Sequence, residues 1–221
     1  MKRRSKYVAM MALALTMVSC GDSDKDEPAP VPPVEPTMTS TRLNVTVLDY
    51  SPAPGQFVNE IPEYEAGDTY ESMNRKATES LCNGDMISLG AWGGSVTIKL
   101  PQSLPNVESK ADFRVVGNAV YANDASNAIR IGSPEPGIVM VMRDENGNGL
   151  PDDIWYELRG NQHVNAIANY QVTYHRPTAD ATDNQYIAWS ATNGDNGYIN
   201  RTIEHQQDYF PMWFDEVETM T

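Results

Sequence analysis

GIVMVMRDENGNGLPDDIWYEL, residues 137–158, is the stretch that decides the fold class. Two short apolar runs, GIVMVM (137–142) and IWYEL (154–158), flank a segment in which Asn-Gly and then Asn-Gly again interrupt the chain. Each run is too short for a stable helix, and both are rich in β-branched or aromatic side chains that suit a pleated, half-buried surface. Asn-Gly between such runs is a strong hairpin signal, because both residues tolerate the positive φ a tight turn needs. The same grammar continues outward. RLNVTVLDY (42–50) alternates Leu43, Val45 and Val47, and SVTIKL (95–100) alternates Val96, Ile98 and Leu100. DFRVVG (112–117), YQVTY (170–174) and YIAWS (186–190) are further short strands by composition. Gly, Pro, Asn and Asp punctuate them at the intervals of sandwiches and barrels. No strand–helix–strand rhythm runs through the chain, which argues against a parallel doubly wound sheet. The expectation is a mainly-β fold, an antiparallel, jelly-roll-like β-sandwich formed as one domain over residues 41–221.

One helix is expected near 69–82. Asp68 with Glu71 three positions on forms a capping pair. Tyr70, Met73, Ala77 and Leu81 then share a face at helical spacing, and Asn83-Gly84 supplies a stop. An apolar stripe of this kind closes one end of a sandwich; Tyr70 and Met73 read as core.

The loop inside the opening stretch also carries metal logic. In DENGNGLPDD (144–153), Asp144, Asn146 and Asn148 stand at positions 1, 3 and 5 and Gly149 at 6. Leu150 at 7 offers its carbonyl, Asp152 stands at 9, and Asp153 follows. Alternate oxygen ligands converge when the backbone curls around a hard cation, and Gly allows the curl. An EF-hand would place a bidentate Glu at position 12, where this chain has Trp155. The loop is instead similar to the shorter calcium loops of dockerin and thrombospondin type 3 repeats. A metal-free turn built from Asx motifs explains the same residues, and the Pro151-Asp152-Asp153 extension favours calcium over the bare turn.

The N-terminus reads as an export signal. Lys2, Arg3, Arg4 and Lys6 precede a short apolar run, Tyr7 to Val18, then Ser19-Cys20 and the acids Asp22, Asp24, Asp26 and Glu27. The apolar run is well short of the roughly 20 residues a membrane span needs. This resembles a bacterial lipoprotein signal, residues 1–19, with Cys20 as the lipidated residue and Met17 standing where Leu is usual. The acids after Cys20 look like the surface-export tag of Bacteroidota lipoproteins. A plain secretory signal is the alternative, and Met17 fits its small-residue rule poorly. Residues 20–40 form an acidic, Pro-rich tether: PAPVPPVEP (28–36) has five prolines in nine positions and acts as a stiff spacer of about 3.1 Å per residue. The expected location is the outer membrane, at the cell surface, with a lipid anchor as the membrane contact.

Charge narrows the partners. The chain carries −14, and removing the four signal cations takes this to −18. So acidic a chain offers nucleic acid no electrostatic footing. With Cys20 lipidated, Cys82 is the one remaining thiol and no internal disulfide can form. His163, His175 and His205 are far apart, and no HExxH, GxSxG, CxxC or phosphate loop occurs. Glycine-rich LGAWGGS (89–95) has no helix after it, so it reads as a tight, closely packed hairpin rather than a nucleotide loop. Glu135, Asp152, Asp153 and Glu157 have no spacing that assigns an acid and a base, so no enzyme is expected. Of the four tryptophans, Trp92, Trp155 and Trp189 are candidates for stacking on a flat ligand or a sugar ring; Trp213 completes the set.

Longer segments resemble a known family. LDYSPAPGQFVNEIPEYEAGDT (48–69), MISLGAWGGSVTIKL (86–100), DFRVVGNAVY (112–121), SPEPGIVMVMRDENGNGLPDDIWYELRG (133–160), YQVTYHRP (170–177) and YIAWSATNGDNGYINRTIEHQQDYFPMWF (186–214) look like a family of Bacteroidota lipoproteins described as cell surface proteins. The resemblance covers roughly residues 42–214. It implies a surface protein found beside TonB-dependent transporters, some members being associated with corrinoid (vitamin B12, cobalamin) capture. It also implies the calcium reading of 144–153. Members usually continue past the point where this chain stops, so a short or truncated member is expected. The functions in contention are a lipoprotein that binds a small extracellular ligand for such a transporter, a calcium-stabilised glycan-binding module, and, least favoured, a glycosidase.

Overall fold

The computed structural model describes residues 42–121, 132, 133, 135, 137–161, 163–214, 219 and 220. The signal segment, Cys20 and the tether lie outside the described residues, as do residues 215–218. The described chain is mainly strands with one α-helix. The order is β1 (Thr46–Ser51), α1 (Tyr70–Asn83), β2 (Ser95–Lys99), β3 (Val120–Tyr121), β4 (Gly132–Ser133), β5 (Met140–Met142), β6 (Trp155–Glu157), β7 (Val172–His175), β8 (Ile187–Ala191), β9 (Asn196–Ile199) and β10 (Thr219–Met220). All pairings are antiparallel: β1 with β2, β3 with β4, β5 with β6, and a four-stranded sheet in the order β10-β7-β8-β9. None of these sheets closes on itself.

The helix begins one residue later than the Asp68–Glu71 pair indicates. Thr69 is the N-cap: its hydroxyl accepts from Ser72 N–H, and Ser72 Oγ accepts from Thr69 N–H at 2.8 Å. Asp68 is used differently. It accepts from Lys76 Nζ at 2.7 Å, from Ser72 Oγ at 2.7 Å and from Glu65 N–H at 2.8 Å. Gly84, at φ 90°, ends the helix with its N–H on the Ser80 and Leu81 carbonyls. The expected face is the one buried: Met73 and Ala77 are fully covered, with Tyr70 and Leu81 packed at the margin.

The helix lies along β1, which among the described residues otherwise pairs only with β2. Asn74 Oδ1 accepts from Tyr50 N–H at 2.8 Å and Thr78 Oγ1 from Val47 N–H at 2.9 Å. The exposed edge of a two-stranded sheet is thus satisfied by helix side chains. A bulge between Val47 and Asp49 breaks the strict alternation of β1. Val47 and Tyr50, three apart, therefore both face the core.

Two apolar clusters result. Val47, Tyr50, Val58, Met73, Ala77, Val96, Trp213 and Phe214 form the first, between α1 and the β1–β2 pair. Ala53, Tyr174, Tyr186, Ile187, Tyr209 and Phe210 form the second, on one face of the four-stranded sheet. The stretch YFPMWF (209–214) has no regular secondary structure, yet it supplies side chains to both. Asn59, itself buried, holds that stretch: its Nδ2 donates to the Asp208 and Phe210 carbonyls at 2.7 and 3.0 Å, and its Oδ1 accepts from Met212 N–H at 2.9 Å.

DFRVVG (112–117) is not a strand. The segment is mostly exposed, with Val116 at 74%, and nothing among the described residues pairs with it. Alternating apolar residues favour extended backbone, but a strand also needs a neighbouring edge.

One pH effect follows from the Asp68 contacts. The hydrogen bond from Lys76 first, then those from Ser72 and Glu65 N–H, lower the Asp68 carboxyl to about 2. The folded value lies below the unfolded one of about 3.9, so its stabilisation is complete above pH ~4 and fades as pH falls towards 2. Asp68→Asn is expected to lower the melting temperature at pH 7. It should also flatten the loss of stability between pH 4 and 2, followed by circular dichroism. Parallel melting curves for both proteins across that range would show that Asp68 has no such role.

Candidate functional site

The glycine-rich loop 89–94 is closely packed, as expected, but it is not a hairpin between strands: residues 85–90 form no strand, and β2 pairs with β1. Its tight packing is against residues 53–55. Ala53 N–H donates to the Leu89 carbonyl at 3.0 Å and Ala91 N–H to the Pro54 carbonyl at 3.2 Å. Gly90 sits at φ 67°, and a Cβ there would overlap the Ala53 carbonyl oxygen; a Cβ on Gly55 would press on the Gly90 backbone. Glycine is needed because two backbones meet with no room between them.

Trp92 stands at the tip of this loop. Tyr174 OH donates to its carbonyl at 3.0 Å, so the backbone is held from the sheet side as well. The residue is 76% exposed, and its ring meets Tyr170 edge to face, at 6.3 Å between centroids and 68° between planes. An exposed indole on an immobilised backbone presents an apolar face with little ordering left to lose on binding. Trp189 and Trp155 are placed otherwise. Trp189 lies on the core side of β8 with its ring across Gly197, the residue opposite on β9, where a Cβ would come within 3.0 Å. Trp155 is half-buried and donates its indole N–H to the Pro151 carbonyl at 3.4 Å, closing the loop before it. Trp213 is core, stacked on Tyr50 at 5.6 Å.

The 144–153 loop joins β5 to β6 and is closed by its own hydrogen bonds. Asp144 Oδ2 accepts from Gly149 N–H at 2.9 Å, Asn146 Oδ1 from Asn148 N–H at 2.9 Å, and Asn148 Oδ1 from Leu150 N–H at 2.7 Å. Asp153 Oδ2 accepts from Glu145 N–H at 3.0 Å, and Asp152 from the amides of Asn146 and Asn148. Gly147 and Gly149 take the positive φ values the curl requires. All donors in the set are oxygens, the chemistry a hard cation wants, and Asp152 Oδ1 already takes both the Asn146 and Asn148 amides. Among the described residues, no group of three or more His, Cys, Asp and Glu side chains is placed to hold a metal. A cation here would therefore draw on the Asn side chains and the Leu150 carbonyl as well.

The hairpin carrying that loop exposes an apolar face. Ile154 (65% exposed), Tyr156 (58%) and Leu158 alternate along β6 and beyond, beside half-buried Val139 and Val141. On the opposite face Glu157 pairs with His163 Nδ1 at 2.7 Å. A shallow depression of about 260 Å³ lies beside α1, with Glu63, Glu65, Glu79 and Asp85 around Lys76. Its lining is polar, unlike the apolar walls of small-molecule sites. Lys76 is already engaged there with Glu65 and Asp68. No helix among the described residues is long and apolar enough to cross a membrane.

The aromatic signal for Trp92 was legible in the sequence, as was the tightness of its loop. The part played by Tyr170 and by residues 53–55 was not, since these meet the Trp92 loop only through folding. No protein-family model matches the chain, and no curated protein matches it in sequence.

Proposed function

We propose that this chain is a lipid-anchored cell-surface protein whose folded part captures a small extracellular ligand and passes it to a TonB-dependent transporter. The single observation that carries the reading is Trp92: a large aromatic ring left in water on a loop whose backbone is fixed from two sides. Covering such a ring with a stacked ligand would contribute about 2–3 kcal/mol. The cationic, apolar and Cys20 segments of the N-terminus support anchoring at the outer membrane. The open apolar face of the β5–β6 hairpin supports contact with another macromolecule. A jelly-roll-like sandwich over 41–221 is the finer architecture that goes with this reading, its halves joined through YFPMWF. Corrinoid is the ligand that the family resemblance implies, and its amide-fringed ring suits an aromatic face.

Titration of the full-length protein with cyanocobalamin, read by calorimetry, tests the reading directly. Stoichiometric binding that weakens about tenfold or more in Trp92→Ala supports corrinoid capture. Absence of binding removes corrinoid as the ligand.

Calcium at Asp144, Asn146, Asn148, Leu150, Asp152 and Asp153 belongs to the same proposal, as a clamp on the turn between β5 and β6. With calcium about a hundredfold above its dissociation constant, linkage is worth about 2.7 kcal/mol, or roughly 5–10 °C in a domain this size. A chelator is expected to lower the melting temperature by that amount, and Asp144→Ala to abolish the sensitivity. An unchanged melting temperature would leave the loop as a metal-free Asx turn.

A further inference from the structure

We infer that the Trp92 loop, together with the two loops beside it, is a platform for a neutral pyranose glycan; the inference rests on the reading of Trp92 as a ligand-contacting residue. Tyr170, whose ring meets Trp92 edge to face, belongs to the stretch Asn169–Gln171. That stretch is laced to the β8–β9 turn: Thr192 N–H donates to the Gln171 carbonyl at 3.0 Å, Gln171 N–H to Thr192 Oγ1 at 3.2 Å, and Thr192 Oγ1 to the Asn169 carbonyl at 3.4 Å. The fold thereby collects Asn169, Gln171, Asn193 and Asp195, all exposed, on the loops flanking the aromatic pair, with exposed Asn196 at the start of β9 donating to the Gly194 carbonyl at 3.4 Å. Asn193 and Asp195 bond to each other and so fix their turn.

This combination matches a sugar ring. A pyranose has an apolar C–H face that stacks on an aromatic side chain, and hydroxyls around its rim that need partners in the plane of the ring. Amides and carboxylates present paired polar atoms suited to neighbouring hydroxyls. A wholly apolar ligand would leave the exposed Asn169 and Gln171 amides covered without partners, which disfavours it. Charge selects further. Residues 89–94, 168–171 and 191–196 contain no Lys or Arg, and Asp195 is their one charge. A sulfated, phosphorylated or uronic sugar finds no counter-charge there, and the chain as a whole, at −14, repels it.

The test is native gel electrophoresis of the full-length protein through soluble α-glucan, mixed-linkage β-glucan, xylan, galactan and mannan. Calorimetry with the matching hexasaccharide follows, with cyanocobalamin and heparin in parallel. The expected result is retardation by at least one neutral glycan, weakened about tenfold or more by Trp92→Ala and measurably by Gln171→Ala, with melting temperatures unchanged. Glycan binding indifferent to Trp92→Ala overturns the site, and binding of heparin alone overturns the neutrality. If cyanocobalamin binds through Trp92 and no glycan does, the glycan assignment fails while ligand capture stands. If nothing binds, both fail together.

Discussion

Asn59→Ala is expected to lower stability by about 3–5 kcal/mol, a large share of the roughly 5–15 kcal/mol that separates native from unfolded states. Three backbone groups of the 208–212 stretch depend on this one side chain: the Asp208 and Phe210 carbonyls and Met212 N–H. Each buried group left without a partner costs about 1–3 kcal/mol. The effect spreads, because the stretch carries Tyr209 and Phe210 into one cluster and Trp213 and Phe214 into the other. Gly55 N–H also bonds the Tyr209 carbonyl at 2.8 Å, so the floor beneath the Trp92 loop is tied to the same stretch. Asn59→Asp should do no better, since it sets a carboxylate oxygen against two carbonyl oxygens. Urea unfolding measures both variants. A change under about 1 kcal/mol would mean that apolar side chains alone hold the stretch in place.

Gly90→Ala should be the most damaging change near the candidate site, removing ligand binding while leaving every contact residue intact. Two penalties combine. Gly90 is at φ 67°, where an L side chain costs about 1–2 kcal/mol. Its new Cβ would also overlap the Ala53 carbonyl, a backbone atom that cannot swing aside. The loop must therefore lift away from 53–55 and take Trp92 with it. Gly93→Ala is the matched control: it too has positive φ, at 89°, but nothing lies within 4 Å of its Cβ. Gly93→Ala should cost about 1–2 kcal/mol and Gly90→Ala at least about 2 kcal/mol more, by thermal or urea unfolding. Equal losses would show that the close approach of the loop to residues 53–55 contributes nothing.

Local signals were legible where a short segment decides its own conformation. The Tyr70–Asn83 helix, its Met73–Ala77 stripe and its Gly84 stop follow from periodicity and capping chemistry. The β5–β6 hairpin follows from Asn-Gly between apolar runs, and the four-stranded sheet contains both YQVTY and YIAWS as neighbours. The misplacements are local competitions decided from outside. Asp68 has the right chemistry for a cap, but Lys76 and Glu65 N–H engage it, and Thr69 takes the cap one residue later. DFRVVG has strand composition and finds no edge among the described residues.

By itself the sequence determined a mainly-β chain with one amphipathic helix, a strongly acidic surface, and a tight glycine loop bearing Trp92. These depend on side-chain periodicity, charge and backbone permissiveness, which are properties of neighbours along the chain. Tertiary structure alone decided that YFPMWF would join two clusters under the grip of Asn59, some 150 positions away. It alone decided that Trp92 would stand in water beside Tyr170 while Trp189 and Trp213 turned inward. Which tryptophan is buried depends on what the fold brings against each ring, and composition is silent on that because every indole gains from being covered.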